Sequence, residues 1–168
     1  GYPDQALQKS HNSLVLAREL SHPSTMSFAL HWAAWFHHYR GERQAVQARV
    51  EEGMTLATEQ GFYPRRAQGN FLQGWLLVED GQWEAGIMQM SKGLTERARG
   101  GAGRWIAHCA ALLAEAYMKA GQTAEGLTVV NEAVVRAHQS ECRYYEAELQ
   151  RIKGEILLAQ DAVDEQQA

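Results

Sequence analysis

GQWEAGIMQMSKGLTERARG, residues 81–100, carries four glycines in a stretch whose other residues favour a helix. A glycine inside a helix costs about 1 kcal/mol relative to alanine, so Gly86 and Gly93 need a reason. It emerges when the stretch is set beside the segments that start at Gly1, Gly41 and Gly121, each 40 residues from the next and aligned without gaps. Twelve residues after each starting glycine stands a small residue: Ser13, Gly53, Gly93 and Ala133. The next position is apolar: Leu14, Met54, Leu94 and Val134. Sixteen after, three of the four are alanine (Ala17, Ala57, Ala137), and Arg97 is the exception.

The residues before each turn align as well. Seven before stand Ala34, Gly74, Ala114 and, ahead of Asp161, Gly154. Nine before stand Trp32, Leu72, Leu112 and Ile152, and four before His37, Leu77, Tyr117 and Leu157. The unit reads as helix A, a tight glycine turn, helix B, then a looser link. Small residues recur where two helix backbones approach closely, which accounts for Gly93 and Gly74. The Gly86 column holds Ala6, Val46 and Gly126, so close packing there is expected for only part of the array.

A fixed period of this length is the mark of a helical array whose hairpins supply one another's core. B helices are expected near 3–20, 42–60, 82–98 and 122–139, and A helices near 25–40, 65–80, 104–120 and 143–160. The links HPST, GFYP, GGAG and SECR carry turn formers. Ser24 or Thr25 is the expected cap of the helix after Pro23. The fold class is therefore all-α, a right-handed superhelical solenoid of antiparallel helix pairs spanning residues 1–168 as one domain, with units turning at Gly1, Gly41, Gly81 and Gly121. Because the array opens on a B helix, the chain is expected to be a piece of a longer one.

Composition narrows the function classes. Apolar residues make up 45% of the chain, enough for a core. The 16 basic and 20 acidic residues are interspersed with a net charge of −4, so no basic block points to nucleic acid. No apolar run reaches the roughly 18 residues of a membrane span. Cys109 and Cys142 lie outside any CxxC pattern, which favours a reduced, cytoplasmic chain, although a disulfide stays open on sequence alone.

The small residue seven before the turn, Leu77 or Tyr117 three later, the turn glycine and the small residue in helix B together resemble the tetratricopeptide pattern. That family's usual unit is about 34 residues, so this one is longer, and its length alone would equally suit HEAT-type repeats. A wider resemblance rests on LARELSHPSTMSFAL (16–30), ATEQGF (57–62), LLAEAYMKAGQTAEGL (112–127) and RYYEAELQRIKGEILLA (143–159). These resemble the C-terminal helical region of large bacterial signalling proteins, in which a class III adenylate or guanylate cyclase domain and an ATPase domain precede tetratricopeptide-like repeats. The resemblance implies a regulatory or scaffolding arm and transfers neither activity, since the chain has no GxxxxGK[ST] loop and no cyclase domain.

The resemblance also implies ligands along the concave surface formed by A helices. Projected on this register, the surface carries rows Phe28, Gln68, His108, Glu148; His31, Phe71, Ala111, Arg151; Trp35, Trp75, Glu115, Glu155; and His38, Val78, Met118, Leu158. The expected binding residues are His31, Trp35, His38, Gln68, Phe71, Trp75, His108, Glu115 and Arg151. Aromatic and imidazole groups would meet a protein or peptide segment in the first two hairpins, and carboxylates and an arginine in the last two. The alternative for Trp35 and Trp75 is plain packing against a neighbouring helix.

Other chemistry has weaker support. His31, His38 and His108 could share a face, but no HExxH occurs, so neither a metal nor any other cofactor is expected. Adjacent residues on a helix point about 100° apart, so His108 and Cys109 cannot act as base and nucleophile, and Cys109 reads as core. RGGAG, 99–103, follows no strand and reads as a link. Arg65–Arg66 and Arg97–Arg99 are too short for a nucleic-acid footprint. The expectation is a non-catalytic interaction arm whose partners are a protein or peptide, or the ATPase and cyclase domains of a parent chain. A small-molecule sensor closing on Trp35 and Trp75, or a scaffold that self-associates, are the alternatives.

Overall fold

In the computed structural model the described residues are 2–99 and 103–167. Among them the secondary structure is eight α-helices and no strand: α1 Pro3–Glu19, α2 Pro23–Tyr39, α3 Arg43–Glu59, α4 Tyr63–Glu79, α5 Trp83–Arg99, α6 Gly103–Lys119, α7 Thr123–Gln139 and α8 Glu146–Gln167. The first seven are each 17 residues long and begin 20 residues apart. The expected turn at Gly1 and most of the GGAG link lie outside the described residues.

One turn serves both kinds of connection. After α4, Gly81 takes φ +75°, its N–H bonds the Val78 carbonyl at 3.0 Å, and the Gln82 N–H reaches the Leu77 carbonyl at 2.9 Å. After α3, Gly61 takes φ +68°, with Gly61 to Thr58 at 3.3 Å and Phe62 to Ala57 at 2.8 Å. Both are Schellman closures, in which a left-handed residue turns the chain back to satisfy the last free carbonyls. The link expected to be looser is thus the same device as the glycine turn, and the backbone repeats at half the 40-residue spacing. Ser21 (φ 50°) and Glu141 (φ 56°) hold the same position without being glycine, which hid the equivalence in the sequence.

Helix starts follow from proline. Pro3 and Pro23 each open a helix, where the missing N–H costs nothing and the ring presets φ. With Pro23 at the first position, the cap falls on His22, not on Ser24 or Thr25: the Thr25 N–H donates to His22 Nδ1 at 3.4 Å. The last helix starts three residues later than expected, after the turn containing Tyr144 and Tyr145.

Each helix packs on its chain neighbours, and the even-numbered helices also pack on one another (α2 on α4, α4 on α6, α6 on α8). Among the described residues no two odd-numbered helices approach closely along their backbones, and α1 reaches α3 through the ion pair of Arg18 with Glu52 at 3.2 Å. The array therefore has two rows, with the even row drawn together and the odd row spread.

The tightest pair is α4 with α5, and it explains the glycines of residues 81–100. A Cβ on Gly93 would lie 2.8 Å from both the Ala67 carbonyl oxygen and the Phe71 nitrogen. One on Gly74 would lie 2.7 Å from the Gly86 oxygen, and one on Gly86 2.7 Å from the Gly74 oxygen. Gly86 is thus as closely packed as Gly93, which its mixed column did not suggest. Gly154 is different: an added Cβ there meets nothing within 4 Å. Around the crossing lie Leu72, Phe71, Met90 and Val46, all sealed from solvent. A second cluster joins Val130, Leu149, Ile152 and Ile156 across α6, α7 and α8. Among the described residues no helix is long and apolar enough to cross a membrane.

Candidate functional site

The even row carries a continuous seam of rings. α2 contributes Phe28, His31, Trp32, Trp35, His38 and Tyr39, one or two helical turns apart and so on one side of the helix. α4 adds Phe71 and Trp75, α6 adds Trp105 and His108, and the turn before α8 adds Tyr145. Trp35 sits at the centre, stacked on Phe71 at 6.1 Å and on Trp105 at 5.9 Å, with His108 at 5.1 Å. Trp32 meets Trp105 edge-on at 5.0 Å. Rings from α2 and α6 therefore meet across α4 and fill the middle of the even face with the protein's own side chains.

This placement divides the nine expected binding residues. Trp35, Phe71 and His108 are 3%, 1% and 2% exposed. They are core residues that no ligand can touch without rearrangement, so for Trp35 the packing alternative describes the structure. His31, His38 and Trp75 are half-buried in the same seam, with His38 and Trp75 4.5 Å apart. Gln68 accepts a hydrogen bond from Arg65 Nη1 at 2.9 Å. Glu115 and Arg151 lie further along the row, where Arg151 pairs with Glu148 at 2.6 Å, with Glu115 at 3.3 Å, and with Glu155. Three carboxylates around one guanidinium leave that end acidic, so Arg151 is not an open anion receptor. Exposed rings remain at the rim: Phe28 is 50% and Tyr39 57% exposed, and Tyr144, beside Tyr145, is exposed as well.

The imidazoles of the seam are held neutral. Burial pulls His38 down to about 4, with Glu79 opposing, and neither ring nitrogen has a hydrogen-bond partner. Burial and then the nearby His38 take His108 to about 4. His108 Nε2 and the Tyr39 hydroxyl form a hydrogen bond at 3.3 Å, while Nδ1 has none. For His31 burial dominates, and the charges of Arg97 and Arg65 push the same way, to about 3. Among the described residues no three His, Cys, Asp or Glu side chains form a group able to hold a metal ion. Cys109 is a buried free thiol that burial pushes up to about 12, which leaves it unreactive, and Cys142 is also free.

Sequence reading missed Trp105, Tyr39 and Tyr145 as members of the seam. Trp105 stands one helical turn before His108, and that spacing was the available signal. It also passed over a cavity of about 560 Å³ between the start of α4 and the end of α5. Arg66, Gln68, Lys92, Glu96, Arg97 and Arg99 contribute to its walls. No protein-family model matches the chain, and no curated protein matches it.

Proposed function

We propose that this chain is a non-catalytic interaction module, a right-handed tetratricopeptide-like array serving as a cytoplasmic regulatory arm of a larger bacterial signalling protein. Its partner is a protein or peptide segment, with ATPase or cyclase domains of a parent chain as the natural candidates under the resemblance. The observation that carries this reading is the rigid even face: packed rings at its centre and the exposed rings of Phe28 and Tyr39 at its rim. A surface preformed in this way loses little ordering entropy on binding, and exposed aromatic groups over a packed base are typical energetic anchors. The acidic end around Glu115, Glu148 and Glu155 favours a partner segment with basic residues there.

The test is affinity capture from source-cell lysate with the wild-type chain beside a Phe28→Ala variant, which removes an exposed ring and leaves the Tyr39–His108 hydrogen bond in place. A partner held by the wild type and lost by the variant supports the reading. A partner retained equally by both, or nucleotide turnover by the isolated chain, overturns it.

A further inference from the structure

We propose that the cavity between α4 and α5 binds a small molecule bearing two or more adjacent phosphoryl groups, with the Arg97 guanidinium as its central anion contact. This does not rest on the partner-binding reading, which concerns the even face.

Arg97 is the one break in the alanine column. Its counterparts Ala17, Ala57 and Ala137 are buried small residues in α1, α3 and α7. In α5 an arginine fills the same position, only 9% exposed, with no hydrogen bond or ion pair and with its Nε sealed from solvent. Burying a charge without a partner is strongly unfavourable. The chain has carboxylates to spare and uses them elsewhere: Arg18, Arg40, Arg43, Arg49, Arg143 and Arg151 each pair with one or more. Around Arg97 the arrangement is reversed. Arg66 also has a buried, unpartnered Nε, and Lys92 and Arg99 stand on the walls without an ion pair. Burial and, after it, the nearby charge of Arg97 lower the pKa of Arg65, so a further guanidinium stands close to Arg97. Among the described residues Glu96 is the only carboxylate on the walls, and against it stand the four cations Arg66, Lys92, Arg97 and Arg99.

The shape fits the charge. The volume of about 560 Å³ falls within the range of small-molecule sites. Guanidinium forks match phosphate oxygens two at a time. A single phosphate dianion would leave the walls positive, whereas two linked phosphoryl groups bring enough charge to balance them. The Gln68 and Asn70 amides can orient what the cations hold, and Tyr63, 75% exposed, offers a flat ring beside the cavity.

The experiment is calorimetric titration with inorganic pyrophosphate, ATP and sulfate at physiological ionic strength, on the wild type and on Arg97→Ala. That substitution installs the residue of the other three units, so the fold should be kept and the melting temperature should equal or exceed that of the wild type. Pyrophosphate affinity should fall at least about tenfold with the loss of one charge-assisted contact. A Lys92→Ala/Arg99→Ala variant, changed only on the exposed walls, should weaken binding in the same direction. Tighter binding of ATP than of pyrophosphate assigns the site to a nucleotide stacked on Tyr63, and equal binding assigns it to the phosphoryl groups alone; both support the proposal. Equal affinity of wild type and Arg97→Ala, no pyrophosphate binding by the wild type, or sulfate binding as tightly as pyrophosphate would each overturn it. An Arg97→Ala variant that melts lower and binds unchanged would make Arg97 a purely structural residue.

Discussion

Gly53 and Gly93 occupy the same position in successive units, yet alanine should act on them with opposite sign. Both sit inside a helix, so each substitution gains about 1 kcal/mol of helix propensity. At Gly53 the new Cβ would lie 3.6 Å from the Leu30 Cβ, an ordinary contact, and the gain stands. At Gly93 it would lie 2.8 Å from the Ala67 oxygen and the Phe71 nitrogen and 3.1 Å from the Phe71 Cα. These are backbone atoms of α4 with no rotamer to yield. Relief requires α5 to retreat by about half an ångström, and a gap of that size forfeits about a quarter of each dispersion contact along the pair. An overpacking cost of about 3 kcal/mol, the upper part of the usual range, is therefore expected. The net effect is about 2 kcal/mol of destabilisation for Gly93→Ala and about 1 kcal/mol of stabilisation for Gly53→Ala. For a chain of this size the melting temperature should fall by about 4–8 °C in the first and rise by about 2–4 °C in the second. Thermal unfolding followed by circular dichroism reads both. A Gly93→Ala protein as stable as the wild type would refute the close α4–α5 crossing.

Three further outcomes follow. Trp35→Ala should cost about 3–5 kcal/mol, because it empties the centre of the ring seam; a small change in urea midpoint would mean Trp35 is not core. Glu141→Gly should stabilise by about 0.5–1 kcal/mol by relieving a left-handed residue at a helix end, and a lower urea midpoint would count against that reading. Because His31, His38 and His108 are held neutral in the fold, the unfolded chain binds more protons below its histidine range. Stability should be full above about pH 6.5 and decline as pH falls towards 4, with roughly 2–3 kcal/mol of the loss due to His108. Urea titrations at pH 7 and pH 4.5 should show a smaller loss in His108→Phe than in the wild type, and equal losses would exclude His108 as a source.

The sequence by itself determined the helices and the turns. A 17-residue helix closed by a left-handed glycine is a local object, set by residues within a few positions of one another, and its recurrence at Gly41, Gly81 and Gly121 is visible by alignment. It also marked the column of small residues at Gly74 and Gly93 and the exception at Arg97. Turns closed by Ser21 and Glu141 were obscure because only the backbone angle, not the residue type, identifies them. Periodicity placed Trp35, Phe71 and His108 on the even row but could not say whether they face solvent. Only the tertiary structure decided that, because the rings that cover Trp35 come from α6, about 70 residues further along the chain. The same non-local packing left Arg97 buried on the wall of a cavity that Arg66, Lys92 and Arg99 also line, and decided that Gly74 and Gly86 face each other while Gly154 faces nothing.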